Sequence, residues 1–463
     1  MIHKLVKVVV VTSLLTLSFS SGDARTVEKR FSILGLGDSI TEGGKEFHSY
    51  LYPLWERLFT AGYNADFIGP RQSETRIGMI HHYGNSGKPV EFLEARIDSV
   101  YRRYPADIVL LHAGHNHFAE QNPIDGIMRA YASIVRKIHA VNPQAHIFLA
   151  QVTPSGKLPK YSYIPELNRR IAAFVSYEKN RRLHLVDMAT GHDYRTMTIY
   201  DHVHPNDLGA ERMAERWFEA ISKVFKPHRK AYRPDLVSYS RFNDDTSLPT
   251  TSGEAQSACS HDLNMHVFRA RGKKNPAIVY FFAGGWKFGS PLQFYRECEW
   301  HQRKGYTAIS VDYRIGYLHH SSAQDATNDG IASIRYIRQH ADELGIDTTR
   351  IIVAGASAGA TIAGKIPDEL ICARMLYYPV TDSLATERFH MYKPVLFMIG
   401  TNDNFTPIDK ARQFANVVSS TSVLFNSYFY EGYGHPLFRY RESLPPVFYT
   451  IRQRTDLFLQ RIK

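Results

Sequence analysis

The sequence predicts two successive α/β domains, each a largely parallel sheet covered by helices on both faces. Three observations carry this. Short apolar runs alternate with longer amphipathic ones over residues 31–224, the pattern breaks over a polar, proline-bearing stretch, and a second alternation starts at Ala277. Strands alternating with helical segments make βαβ units, whose crossover helices cover the sheet.

The segments follow in order. Lys4 and Lys7 precede an apolar run over 8–17, then small and polar residues lead to Gly22-Asp23-Ala24. That order reads as a signal peptide over 1–24, cleaved after Ala24, with a retained N-terminal anchor as the other reading. The run is shorter than the roughly 20 apolar residues that span a bilayer, and no later stretch approaches that length, so no integral membrane segment is expected after signal removal. The first domain occupies 25–226, with strands expected at 31–36, 107–111 and 146–151 and a closing amphipathic helix at 207–224. Residues 227–260 contain Pro227, Pro234, Pro249 and the run Asn243-Asp244-Asp245-Thr246-Ser247, and read as a linker between domains that fold independently. The second domain, 261–463, has strands expected at 277–282, 307–312, 350–354, 394–399 and 422–430.

The chain has 463 residues, 44% hydrophobic and 22% charged, which suits a globular protein with a core in each half. Its formal net charge of +11 comes with no basic run and no nucleic-acid motif, so it reads as a solvated surface and no nucleic-acid partner is expected. Cys259, Cys298 and Cys372 allow at most a sparse disulfide framework and lack metal-binding spacing. The pairs His81-His82 and His319-His320 read as loop residues without a carboxylate at ligand spacing, and neither a metal nor a cofactor is expected.

In the first domain, Leu34-Gly35-Leu36-Gly37-Asp38-Ser39-Ile40-Thr41-Glu42-Gly43 places Ser39 directly after an apolar strand, where a parallel sheet opens into a crevice. A serine hydroxyl is a weak nucleophile at neutral pH and needs a base, itself oriented by a third group. Asp201-His202-Val203-His204-Pro205 supplies such a pair: Asp201 can hold His204 in the tautomer that accepts the Ser39 proton. His202 reads as a loop residue. Gly87, in Gly84-Asn85-Ser86-Gly87, and Asn116, in Gly114-His115-Asn116-His117, are candidate oxyanion donors.

These four blocks, in this order, resemble the SGNH/GDSL hydrolase superfamily over about residues 31–224, and within it the acetyl xylan esterase branch. The resemblance implies a flavodoxin-like three-layer sandwich. It makes Ser39 the nucleophile and its amide an oxyanion donor, Gly87 and Asn116 the rest of the hole, His204 the base and Asp201 the orienting acid. Where the family reads GTND, this chain has Gly114-His115-Asn116-His117.

In the second domain, Gly355-Ala356-Ser357-Ala358-Gly359 follows an apolar strand and precedes a helix-compatible run, the context of a nucleophile elbow. Upstream, Phe281-Phe282-Ala283-Gly284-Gly285-Trp286 ends a strand in a turn whose amides at Gly284 and Gly285, with that of Ala358, can face an oxyanion. Downstream come Asp403, after the strand at 394–399, and His435, in Gly432-Tyr433-Gly434-His435. The order Ser357, Asp403, His435 resembles an α/β-hydrolase fold of the hormone-sensitive-lipase-like and carbohydrate-esterase type over about 262–460. That group reads HGGG where this chain has Phe282-Ala283-Gly284-Gly285. Trp286, Phe288 and Tyr313 fit either a pocket lining or a core.

Taken together, the motifs predict a secreted, cofactor-independent serine esterase, periplasmic or extracellular, with two hydrolase domains. The expected substrate is an acylated polysaccharide or oligosaccharide such as acetylated xylan or pectin, losing acetyl at the first site and acetyl or a bulkier acyl such as feruloyl at the second. Two other readings use the same residues: a lipid or aryl esterase, and one active esterase domain beside a catalytically dead polysaccharide-binding domain.

Overall fold

The computed structural model describes residues 30–243, 260–382, 384, 391–437 and 446–462. The expected signal peptide and Cys259 lie outside the described residues. Cys298 and Cys372 are free thiols.

The first sheet contains β1 (Phe31–Gly37), β2 (Ala65–Phe67), β3 (Arg71–Thr75), β4 (Gly78–Gly84), β5 (Ile108–His112), β6 (His146–Ala150) and β7 (Leu183–Val186). Its order is β3-β4-β1-β5-β6-β7, with β2 pairing the start of β1 on the side where β4 pairs its end. Every pair is parallel except the β3–β4 hairpin. β1 and β5 are almost wholly buried, as expected of continuous apolar strands covered on both faces. Helices Val90–Arg103 and Ile124–Val141 pack together on one face; Leu51–Thr60 and Asp207–Val224 pack together on the other, completing three layers. The chain leaves β1 toward one neighbour and returns to β5 on the other side. The order therefore reverses at β1, and the crevice at its carboxyl end receives Ser39.

The second sheet contains β8 (Asp235–Asn243), β9 (Ser260–Phe268), β10 (Asn275–Phe281), β11 (Thr307–Val311), β12 (Ile346–Ala356), β13 (Ala373–Tyr377), β14 (Val395–Gly400) and β15 (Phe425–Tyr430). Its order is β15-β14-β13-β12-β10-β11-β9-β8, parallel from β15 through β11 and antiparallel at β9 and β8. Here the order reverses at β10, between β11 and β12, so the turns after β10 and β12 flank one crevice.

Three expectations need correction. His81 and His82, read as loop residues, lie in β4, paired with Gln72 and Arg71, and His319 ends a short helix, Gly316–His319. The stretch 227–260 is not wholly a connector: β8 lies inside it as the edge strand of the second sheet. Asp235-Leu236-Val237-Ser238-Tyr239-Ser240 is a half-exposed edge, with Leu236 64% exposed, so its polar content hides a strand. Nor do the two domains pack as separate bodies. The apolar core that begins with Phe31, Leu54, Trp55 and Trp217 runs without a break into Tyr232, Met265, Phe268 and Tyr295 and through the second sheet. Tyr232 stacks on Phe59 at 5.7 Å and meets Tyr295 edge-on at 5.1 Å, so first-domain, connecting and second-domain aromatics share one cluster.

Candidate active sites

β1 ends at Gly37, where a Cβ would come within 2.3 Å of the His112 carbonyl, so the chain passes tightly before turning into the short helix Ser39–Glu42. Asp38 caps that helix by accepting the Ile40 amide at 3.1 Å. Ser39 Oγ then lies 2.8 Å from His204 Nε2, and His204 Nδ1 lies 2.5 Å from Asp201 Oδ2. The other Asp201 oxygen accepts the amides of Val203 and His204 at 2.9 and 3.0 Å, fixing the carboxylate before it meets the ring. Burial alone would raise the Asp201 carboxyl; the bonds from His204 and Val203 outweigh it and hold it below the usual range. With Nδ1 donating to Asp201, Nε2 is free to accept the Ser39 proton.

Gly87 sits in the turn after β4 with φ +71°, open space where a Cβ would go, and no hydrogen-bond partner for its amide among the described residues. Glu42 accepts the neighbouring Ser86 amide at 2.6 Å, which ties this turn to the end of the Ser39 helix. Asn116 has φ +60° and donates from Nδ2 to the Lys88 carbonyl at 3.2 Å, placing it beside the same turn. The histidines around Asn116 have structural partners: His115 Nε2 lies 3.2 Å from the Thr153 carbonyl, and His117 Nε2 lies 2.9 Å from Glu91 Oε2. Burial depresses His115 well below the ordinary histidine range. His202 turns away from Ser39, its ring edge-on to Tyr194 and its carbonyl accepting from Ser155 and Gly156.

In the second domain Ser357 has φ +51° and ψ −119°, a conformation that strains a side-chain-bearing residue and lifts Oγ above the sheet. Oγ lies 2.7 Å from His435 Nε2, and His435 Nδ1 lies 2.7 Å from Asp403 Oδ2. Asp403 Oδ1 accepts the amides of Phe405 and Thr406, both at 2.8 Å. Each site thus uses the same device: one carboxylate oxygen is pinned by two backbone amides and the other orients the imidazole.

Gly284 and Gly285 have φ +140° and +61°, and neither amide has a hydrogen-bond partner among the described residues. The Ala358 amide is the first of helix Ala358–Lys365, one of the donors a helix leaves unpaired. All three lie at the mouth formed by β10 and β12. Gly359 brings them together, because a Cβ there would meet the Phe281 carbonyl at 2.1 Å; only glycine lets the helix start touch the end of β10.

Several contributors escaped the sequence reading. Phe47 stacks on His204 at 4.3 Å, and Phe405, 63% exposed, covers His435 at 4.5 Å. Neither aromatic lies in a catalytic block, so no local pattern marks it. Tyr313 belongs to the core, fully buried and stacked on Phe282 at 4.0 Å, whereas Trp286 and Phe288 are half-buried in the turn beside Gly285. Among the described residues, no group of three or more His, Cys, Asp or Glu could hold a metal ion, and no helix is long and apolar enough to cross a membrane.

Residues 36–212 match the GDSL-like lipase/acylhydrolase family, and residues 263–365 match the BD-FAE family. Each half of the chain thus matches a different family model. Among curated proteins, the chain is 36% identical over 115 residues to esterase LipI of Mycobacterium tuberculosis, covering 23% of this chain and 35% of that one. It is 29% identical over 185 residues to ethyl acetate hydrolase of Pseudomonas putida, covering 37% and 52%. The chain thus spans between a third and about half of the length of these relatives. Among solved structures, a thermophilic esterase of Thermogutta terrifontis is 24% identical with a TM-score of 0.41, covering 50% of this chain and 92% of that one.

Proposed function

We propose that the protein is an exported carboxylic ester hydrolase with two acyl-enzyme sites, acting on acylated polysaccharides such as acetylated xylan or pectin. The observation that carries the hydrolase reading is the pair of hydrogen-bonded chains, Ser39–His204–Asp201 and Ser357–His435–Asp403, each beside unpaired backbone donors. At each site the imidazole takes the serine proton as Oγ attacks the ester carbonyl. The carbonyl oxygen, now carrying the negative charge, is held by the Ser39 and Gly87 amides and Asn116 at the first site, and by the Gly284, Gly285 and Ala358 amides at the second. The imidazolium returns the proton to the leaving alkoxide, and water releases the acid by the same path in reverse. Residues 1–24 support export, and the esterase names of the curated relatives support carboxylic esters. The first site is assigned acetyl groups. The second is assigned acetyl or a bulkier acyl such as feruloyl, for which the exposed Phe405 ring beside His435 offers a stacking surface.

The test uses the full chain with Ser39→Ala, Ser357→Ala and both together, measuring acetate and ferulate released from native polysaccharides. Ser39→Ala is expected to remove most acetate release, Ser357→Ala a different acyl preference, and the double variant all but a residue of turnover, each loss exceeding about 1,000-fold. Full activity in both single variants on every ester would overturn the serine assignments. Unchanged hydrolysis with weakened polysaccharide retention in Ser357→Ala would make the second domain a binding module.

A further inference from the structure

The β3–β4 hairpin of the first domain reaches into the second. Residues 76 and 77 form its two-residue tip, between the paired Thr75 and Gly78. The tip meets the turn that follows β10, the one carrying Gly284 and Gly285. Arg76 grips Gly289, the last residue of that turn, by both peptide atoms: the Arg76 carbonyl accepts the Gly289 amide, and Arg76 Nε donates to the Gly289 carbonyl at 2.9 Å. The other arm of the guanidinium pairs with Asp312 at 2.7 Å, immediately after β11, and the two side chains are only 14% and 16% exposed. The hairpin therefore anchors the turn to the second sheet.

The turn itself transmits position from one end to the other. The Gly284 carbonyl accepts the amides of Lys287 and Phe288, at 3.2 and 2.9 Å, and a Cβ on Gly284 would meet the Phe288 carbonyl at 2.0 Å. At Gly289, φ is +122° and a Cβ would meet the Ala283 carbonyl at 2.4 Å. A loop wound this tightly has little freedom between its ends, so holding Gly289 holds the Gly284 and Gly285 amides. On the other flank the turn rests on its own domain, where Gly316 and Tyr317 donate to the carbonyls of Trp286 and Lys287.

We propose that Arg76 of the first domain is a positioning residue for the second active site, fixing the turn that presents the Gly284 and Gly285 amides to the oxyanion. This rests on the hydrolytic reading of the second domain. Donors of this kind act only when fixed before the charge develops, and an error of about 1 Å in such a site costs on the order of 100-fold in rate.

The experiment is made in the full chain carrying Ser39→Ala, so that only the second site turns over. Steady-state hydrolysis of a p-nitrophenyl ester and the rate of Ser357 phosphonylation by a p-nitrophenyl phosphonate are measured with Arg76, Arg76→Lys and Arg76→Met, alongside thermal melting. Arg76→Met is expected to lower kcat and the phosphonylation rate by about 100-fold while KM moves less than threefold. Arg76→Lys keeps the charge on Asp312 but loses the forked grip, so a loss of about tenfold with an unchanged melting midpoint is expected. If Arg76→Met does not fold, Arg76→Lys decides. Parent-like kcat and phosphonylation in the folded variants, with only the melting midpoint lowered, would overturn the positioning role and leave a merely structural ion pair. An Arg76 parent inert to both ester and phosphonate would overturn the hydrolytic reading, and the proposal with it.

Discussion

Asp38 sits behind Ser39 with one carboxyl oxygen on the Ile40 amide and the other buried without a hydrogen-bond partner among the described residues. Burial is the largest influence on it and raises its pKa from 3.8 to about 6, against the opposing pull of the Ile40 amide and of His204 and His117. The folded chain therefore holds this proton where the unfolded chain has released it. The contribution of Asp38 to stability is fully present below pH 4 and is lost as pH rises through about 6. Asp38→Asn keeps an oxygen for the Ile40 amide and removes the buried charge. Thermal melting should show the variant more stable than the parent at pH 7.5, by on the order of 3 kcal/mol, with the gap closing by pH 4. A gap that persists at pH 4 would place the gain elsewhere than in ionisation. The six residues that hydrogen-bond as two Ser–His–Asp chains could be picked from the sequence because each lies in a short block: glycines around Ser357, and an aspartate three positions before His204. Phe47 and Phe405 were not, since a ring covering an imidazole follows from loop geometry and leaves no periodic trace.

At the scale of elements, the strand-to-helix joints carry the sites, and their glycines are demanded by close backbone approach. Gly355 and Gly359 face each other across the Ser357 elbow, where a Cβ on Gly355 would lie 2.2 Å from the Gly359 carbonyl. Gly359→Ala would push helix Ala358–Lys365 away from β10 and move the Ala358 amide with it. Overpacking of this kind costs about 1–3 kcal/mol, and turnover at the second site should fall at least about 100-fold in the Ser39→Ala chain. First-site turnover in a chain carrying Ser357→Ala should stay within twofold, so equal losses at both sites would refute the local account. The main strands were readable because buried parallel strands are continuous apolar runs. β8 was not readable: an edge strand needs only one apolar face, and its remaining residues look like connector.

The whole molecule departs furthest from the sequence reading. Composition marks where the first alternation of strands and helices stops, yet says nothing about which helix faces find each other. Trp55, Phe59, Tyr232 and Tyr295 come from widely separated segments, and only the assembled structure shows them as one cluster. A fragment ending at residue 233 would expose Trp55, Phe59 and Tyr232 and leave Arg76 without Asp312. Each such ring moved from the core into water costs about 1.5–3 kcal/mol, equivalent to several degrees of Tm for a domain of this size. Calorimetry should show a single cooperative transition for the full chain and a fragment that melts well below it or aggregates. A fragment with the stability of the whole would restore the picture of separable domains.

The seam also bears on how such a chain can change over generations. Two α/β modules on one polypeptide invite exchange, in which a recombination event replaces either half with a homologous one. Here a breakpoint in the connecting segment would require the incoming half to supply its own partners for Phe59, Tyr232 and the Arg76 guanidinium. A chimaera without them would leave the aromatic cluster and the ion pair unmade, a folding defect that precedes any gain in substrate. Each half thus constrains which substitutions the other can accept.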